Sequence, residues 1–341
     1  MYALQNADSV APAAAGPVYH ARRLTLDAED HAASLSAWEQ RYEQLSGGRF
    51  EGHLEDLRIG PVQIFGERAN QSVLQGGRPR ADTVTIGLTL GAREPGWYCG
   101  HRLGDRQAFA MASDREFELV AEAGVTFLAV CVDTAALLER AAIVRGRDEE
   151  LRLPAPSVLR KSAAECDELG ALLGNAMSMA RERPGLLEDP RVRTGLVESL
   201  TDAVLDCIAP GQFETSLLPG AAARRHIVVR ARDYMRNHAD EAITVPDLCV
   251  ATGASRRALQ YAFEDVVNLS PVTYLRVMRL NHVRSELQSR RHDTVGDIAA
   301  RWGFWHPSRF AAEYKQLFGE LPSMTRMRFA SSHRADVSPR H

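Results

Sequence analysis

Two short runs of the sequence carry side chains suited to reading the edges of DNA bases. One is Ser255, Arg256, Arg257, Gln260 and Tyr261; the other is His306, Ser308, Arg309 and Ala312. A guanidinium can donate paired hydrogen bonds to guanine O6 and N7, and a glutamine amide can pair with adenine N6 and N7. At helical spacing each set falls on one side of its helix, opposite an apolar stripe. The stripe is Leu259 and Phe263 in the first case, and Phe310, Tyr314 and Leu317 in the second. Arg276, Arg279, Arg284, Arg290, Arg291 and Lys315 are candidate phosphate contacts, which position a protein on a duplex without specifying sequence. The competing reading of both sets is an ordinary solvated helix face.

The elements that must position these residues form one unit present twice. "VPDLCVATG" (245–253) is echoed by "VGDIAARWG" (295–303) fifty residues later. Past the glycine, Leu259, Phe263, Val267, Asn268 and Pro271 match Phe310, Tyr314, Phe318, Gly319 and Pro322, one residue further on. Each copy predicts helix, tight turn, helix. Thr244 and Thr294 are N-cap residues, and Asp247, three residues after Thr244, completes a capping-box-like start. Gly253 and Gly303 close the first helix of each pair, Ser255 caps the next, and Pro307 suits a first helical turn. This is the helix-turn-helix pattern, whose second helix enters the major groove. Between the copies, Ser270 and Pro271 open a helix that runs to about Ser289. Its roughly nineteen residues span about 28 Å, slightly under the ~34 Å between major-groove faces one turn apart. The shortfall favours a bent site.

"IAARWGFWHPSRFAAEYKQLFGELPS" (298–323) resembles the signature of the AraC/XylS family of bacterial transcription regulators: Ile-Ala, then Gly-Phe, Ser, Phe, Tyr-Lys, Phe-Gly and Pro in order. The resemblance covers roughly 224–330. It implies a seven-helix domain with two helix-turn-helix units that binds double-stranded promoter DNA, usually activates transcription and acts with RNA polymerase in the cytoplasm. Asn268 stands where the family usually has Gly, and Asn tolerates the left-handed conformation. Pro307 and Ala312 stand where relatives often have polar residues. "WEQRYEQLSGGRFEGHLEDLRIGPVQIFGERANQSVLQGG" (38–77) is similar to the sensor region of a subgroup that includes the ethanolamine-utilisation regulator. That likeness implies a β-rich, cupin-like or related domain for a small-molecule effector of unspecified identity.

Charge is unevenly divided. Residues 224–330 hold 17 Arg and Lys against 11 Asp and Glu, whereas 1–223 hold 22 against 32. A basic domain is the electrostatic footprint of a polyanionic partner. The predicted fold class is α+β: a β-rich sensor domain with helices, then an all-α domain with two helix-turn-helix units. The predicted division is a disordered lead-in (1–23), a β-rich effector-sensing domain (24–150), a helical dimerisation or coupling region (151–208), a linker (209–223), the DNA-binding domain (224–330) and a tail (331–341). Residues 24–47 read as a helix, 49–132 as antiparallel strands and 133–145 as a helix. Val192, Leu196, Leu200, Val204 and Ile208 form one helical stripe, available to a homodimer partner or to the domain's own core.

No run is long and apolar enough for a membrane helix. Five scattered cysteines without a CxxC pair argue against a disulfide framework or a zinc knuckle. His53, His101 and Glu67 stand alone in sequence, so neither a metal site nor a cofactor is expected. No enzyme activity is expected either, since no nucleophile-elbow sequence is present. Trp97, Tyr98, Phe65, Phe109 and Phe127 are split between core and an effector pocket. Two alternatives remain: a metabolic enzyme with a DNA-binding appendage, and a constitutive DNA-binding protein whose N-terminal half only dimerises.

Overall fold

The structure, a computed structural model, describes residues 18–93, 96–113, 115–145, 155–213, 220–238, 241–289 and 293–336. The N-terminal region contains β1 (Val18–Thr25), α1 (Ala28–Ser34), β2 (Glu39–Gln44), β3 (Gly52–Ile59), β4 (Val62–Ala69), β5 (Val73–Arg78) and β6 (Thr83–Leu90). It continues through β7 (Gly96–Tyr98), β8 (His101–Leu103), β9 (Gln107–Ala112), β10 (Phe117–Ala121), β11 (Thr126–Asp133), α2 (Thr134–Val144), β12 (Ser157–Val158), α3 (Ala163–Glu182) and α4 (Pro190–Cys207). The strands form two antiparallel sheets, ordered β1-β3-β4-β11-β6-β9-β12 and β2-β5-β10-β7-β8.

The strand alternation explains the layering. Leu57, Ile64, Ile86, Val130 and Leu128 turn outward from the larger sheet beneath α2, α3 and α4. Phe65, Phe109, Phe127, Phe117, Leu119 and Tyr98 fill the space between the sheets. On the smaller sheet the odd-even neighbours are apolar as well: Leu74, Trp97 and Val120 face away from that core and join the core of the C-terminal helices. A strand covered on both faces loses its polar alternation.

The C-terminal region is all helical among the described residues: α5 (Ala221–Asn237), α6 (Val245–Thr252), α7 (Arg256–Val267), α8 (Pro271–Ser289), α9 (Val295–Arg301), α10 (Pro307–Phe318) and α11 (Pro322–Asp336). Thr244 with Asp247, and Thr294 with Asp297, each make a reciprocal capping box. Met278, Val283, Phe263, Tyr274, Ile298 and Tyr314 make the shared core.

Several sequence expectations are corrected. Residues 18–23, assigned to a disordered lead-in, belong to β1, which pairs with β3 along its whole length. The helix expected over 24–47 is the end of β1, the short helix α1 and then β2. Asp27 caps α1, Ala37 takes a positive φ of 69° that ends its run, and Trp38 packs edge-on against Phe65. Pairing of β2 with β5 overrides the helical look of "WEQRYEQL". In α4, Leu200, Val204 and the adjoining Ile208 are buried and Val192 and Leu196 pack against the same cluster, so the stripe covers the domain's own core. Glu67 is not alone: it accepts hydrogen bonds from Tyr42 (2.8 Å) and Gln75 (3.1 Å), and His31 lies 3.3 Å away. Tyr98, Phe65, Phe109 and Phe127 are core residues, whereas Trp97 turns toward the helical domain.

Candidate nucleic-acid interface

Each recognition helix buries one face and exposes the other because its apolar residues recur at three- and four-residue steps. In α7, Leu259, Ala262, Phe263, Val266 and Val267 are buried. In α10, Phe310, Tyr314, Leu317 and Phe318 are buried. The opposite sides are the candidate base-reading surfaces. Arg256, Arg257 and Tyr261 are exposed on α7, and Ser255 caps its start by accepting from the amide of Ala258 at 3.2 Å. Gln260 is half-buried and donates to Glu264 at 2.5 Å. The Arg224 guanidinium lies 5.6 Å from the Tyr261 ring centre, a cation–π contact. His306, Ser308, Arg309 and Ala312 are all exposed on the first half of α10 or just before it. These side chains lie in or just before the first turns of their helices, at the positive dipole end, which suits an anionic partner.

The candidate phosphate contacts divide. Lys315 is exposed. Arg276 pairs with Glu313, which also accepts from Arg309 at 2.9 Å. Glu313 therefore holds both guanidiniums through their Nε atoms. Arg279 donates to the carbonyl of Glu241. Arg284 is corrected outright: it is only 8% exposed. It pairs with Asp27 of the N-terminal region at 2.5 Å and with Glu320 at 3.1 Å. A guanidinium flanked by two buried carboxylates is held inside, so it is not a surface contact. Arg290 and Arg291 lie outside the described residues.

Sequence reasoning missed Trp305. It stands 75% exposed immediately before His306, in the turn that leads into α10.

No group of three or more His, Cys, Asp or Glu side chains among the described residues could hold a metal ion. His53 pairs with Glu51 at 3.0 Å on the surface. Burial pushes the thiols of Cys99 and Cys207 up to about 11 and that of Cys131 to about 12. These three are protonated near neutrality, which does not suit a nucleophile. No helix of the described residues is long and apolar enough to cross a membrane.

The two regions meet through complementary charge. The outward face of the smaller sheet presents Glu43 and Glu118 to α5 and α8. Glu43 accepts from Arg236 at 3.0 Å and from Tyr274 at 2.8 Å, and Glu118 pairs with Arg232. Burial alone would raise the Glu43 pKa, but Arg232 and Arg236 outweigh it and hold the carboxyl below its ordinary value.

Two helix-turn-helix units joined by one nineteen-residue helix, each with an exposed polar reading face, define a double helix-turn-helix domain. The family model described as a helix-turn-helix domain matches residues 248–328. The chain is 35% identical over 136 residues to the "Probable thc operon regulatory protein" of Rhodococcus erythropolis, covering 39% of this chain and 41% of that protein. It is 26% identical over 138 residues to "XylDLEGF operon transcriptional activator 3" of Pseudomonas putida, covering 40% of each. A solved structure of a probable AraC family transcriptional regulator from Rhodopseudomonas palustris is 31% identical, with 30% of this chain and 96% of that one covered and a TM-score of 0.29. Residues 248–328 therefore form a helix-turn-helix domain of the type found in AraC/XylS regulators. It spans about two fifths of the length of the two curated relatives described.

Proposed function

We propose that the chain is a sequence-specific transcription regulator, an effector-responsive activator that binds promoter DNA through α7 and α10 in adjacent major-groove segments. The observation that carries this reading is the duplication: two capped helix pairs, each leaving the first half of its second helix exposed with Arg, Gln, His or Ser side chains. The names of the relatives, an operon regulatory protein and an operon transcriptional activator, support it. Binding to DNA, and to RNA polymerase as an activator, would place the protein in the cytoplasm.

Arg257→Ala is expected to weaken binding to a selected duplex by about 1–3 kcal/mol and to relax discrimination at one base position. Titration of the full chain on cognate and single-base-altered duplexes checks this, and unchanged discrimination would count against α7 as a reader. Trp305 in this reading packs its ring against sugar or a thymine methyl at the tip of α10. Trp305→Ala is expected to cost about 1 kcal/mol or more of DNA affinity while leaving the melting temperature unchanged, as apolar contacts to thymine contribute to base readout. Equal affinity in a fluorescence-anisotropy titration would remove Trp305 from the interface.

The N-terminal region is the effector sensor in this reading. An open cavity of about 450 Å3 on the α3 side of the larger sheet is lined by Arg22, Arg23, Glu55, Arg68, Leu128 and Met177, a volume suited to a small molecule. For a homodimer, the exposed apolar residues are Leu138, Ile143 and Val144 on α2 rather than the α4 stripe. A change in DNA affinity with an added metabolite separates this reading from a constitutive DNA-binding protein.

A further inference from the structure

The C-terminal ends of both recognition helices are capped by side chains from one sheet of the other region and, on α10, by the turn that follows β2. The last carbonyls of a helix have no partner within it. On α7, Asp265 carbonyl oxygen accepts from Trp97 Nε1 at 2.7 Å. On α10, Leu317 carbonyl oxygen accepts from Gln44 Nε2 at 2.6 Å and from the Gly48 amide at 3.0 Å. Gln44 is also locked to α8 between them: its amide donates to Asn281 Oδ1, and Asn281 Nδ2 donates back to its carbonyl, both at 3.1 Å. Trp97 and Gln44 lie on β7 and β2, three strand steps apart in one hydrogen-bonded sheet. That is about 14 Å at the usual strand spacing.

We propose that Trp97 and Gln44, both outside the DNA-binding domain, are positioning residues that fix the spacing at which α7 and α10 meet DNA. The inference rests on the reading of α7 and α10 as recognition helices. Their reading ends are the N-terminal ends; the ends held by the sheet are the C-terminal ones. α10 is twelve residues long, about 18 Å. A swing of about 10° at its held end moves the reading end by about 3 Å, close to the 3.4 Å rise of one base pair. A clamp at the C-terminal ends is therefore a clamp on base-pair register. Two rigid connections join the readers: α8 from within the domain, and the sheet from outside it. The sheet's grip consists of hydrogen bonds to backbone carbonyls, so it holds position without depending on the side chains that read bases. The same sheet carries Tyr42 on β2, hydrogen-bonded to Glu67 of β4 between the two sheets, which connects the clamp to the sensor interior.

The test uses the full chain and duplexes it selects from a random-sequence pool, followed by versions with one base pair inserted or deleted between the two protected segments. The wild type is expected to lose about tenfold or more on either altered spacing, as when one reader meets mismatched bases. Trp97→Phe with Gln44→Leu, which keep bulk and remove the donors, are expected to bring that ratio within about threefold, with affinity for a duplex carrying one segment unchanged. A variant pair with the wild-type ratio would overturn the clamp, as would a wild type indifferent to spacing. If the double variant does not fold by circular dichroism, Gln44→Leu alone is read by the same ratio. Recovery of no duplex from the pool at low salt would instead overturn the DNA-binding reading itself.

Discussion

Arg284→Met is expected to destabilise the folded chain by about 3–5 kcal/mol, the usual cost of removing one partner from a buried ion cluster. Arg284 sits between Asp27, 1% exposed, and Glu320, 6% exposed, and also donates to the Tyr314 hydroxyl at 3.3 Å. Methionine fills much of the volume but leaves both carboxylates without that guanidinium. Asp27 keeps the Glu29 and Asp30 amides and the Gln288 side chain as donors, so its loss is partial. Glu320 keeps Arg328 and Thr325. Because Asp27 caps α1 of the N-terminal region and Arg284 lies on α8, both regions should loosen together. Urea unfolding followed by tryptophan fluorescence and far-ultraviolet circular dichroism checks this. A midpoint within error of the wild type would show that the cluster is not buried as described.

Gly319→Ala is expected to cost more than Gly253→Ala, although both glycines end a helix, α10 and α6 respectively, at the same φ of 70°. At Gly253 a Cβ would meet nothing within 4 Å, so alanine there carries only the left-handed strain, about 1–2 kcal/mol. At Gly319 a Cβ would lie 2.8 Å from the Arg49 backbone nitrogen and 3.1 Å from its Cα. Backbone must part, adding about 1–3 kcal/mol of overpacking. The contact that parts is the turn at 45–49 that docks on the end of α10, so Gly319→Ala should also speed proteolysis between the regions. Equal midpoints for the two variants would mean that this turn is not seated there. The comparison also explains Asn268, which stands at φ 54° where the second unit has Gly319: the left-handed turn accepts Asn, whereas the close approach of Arg49 requires Gly.

The helical domain was legible because its signals are local. Capping residues, turn glycines and three-to-four-residue stripes act within a few positions, and the repeat displayed them twice. The strands from Gly52 onward were legible from their alternation and turn residues. What was not legible depends on partners distant in sequence. "WEQRYEQL" is amphipathic at helical spacing, and only pairing with β5 makes it a strand. Arg284 lies on α8, the helix between the two reading units, and reads as a phosphate contact until Asp27 is seen beside it. The charge division has the same origin in part. Arg232, Arg236 and Arg284 belong to the basic excess, yet they pair with Glu118, Glu43 and Asp27 of the acidic half. Some of the apparent DNA footprint is an internal interface. Trp305 was hidden for a different reason: it lies among core aromatics in sequence, and only the turn after Gly303 puts it outside.

Hydroxyl-radical footprinting of the full chain on a selected duplex tests the central claim most directly. Two recognition helices joined by α8 should protect two segments on one face of the duplex, centred about one helical turn, or ~10 base pairs, apart. Arg257→Ala should weaken protection of one segment and Arg309→Ala that of the other. A single protected segment, or two that weaken together whichever arginine is removed, would contradict a grip by two separate readers.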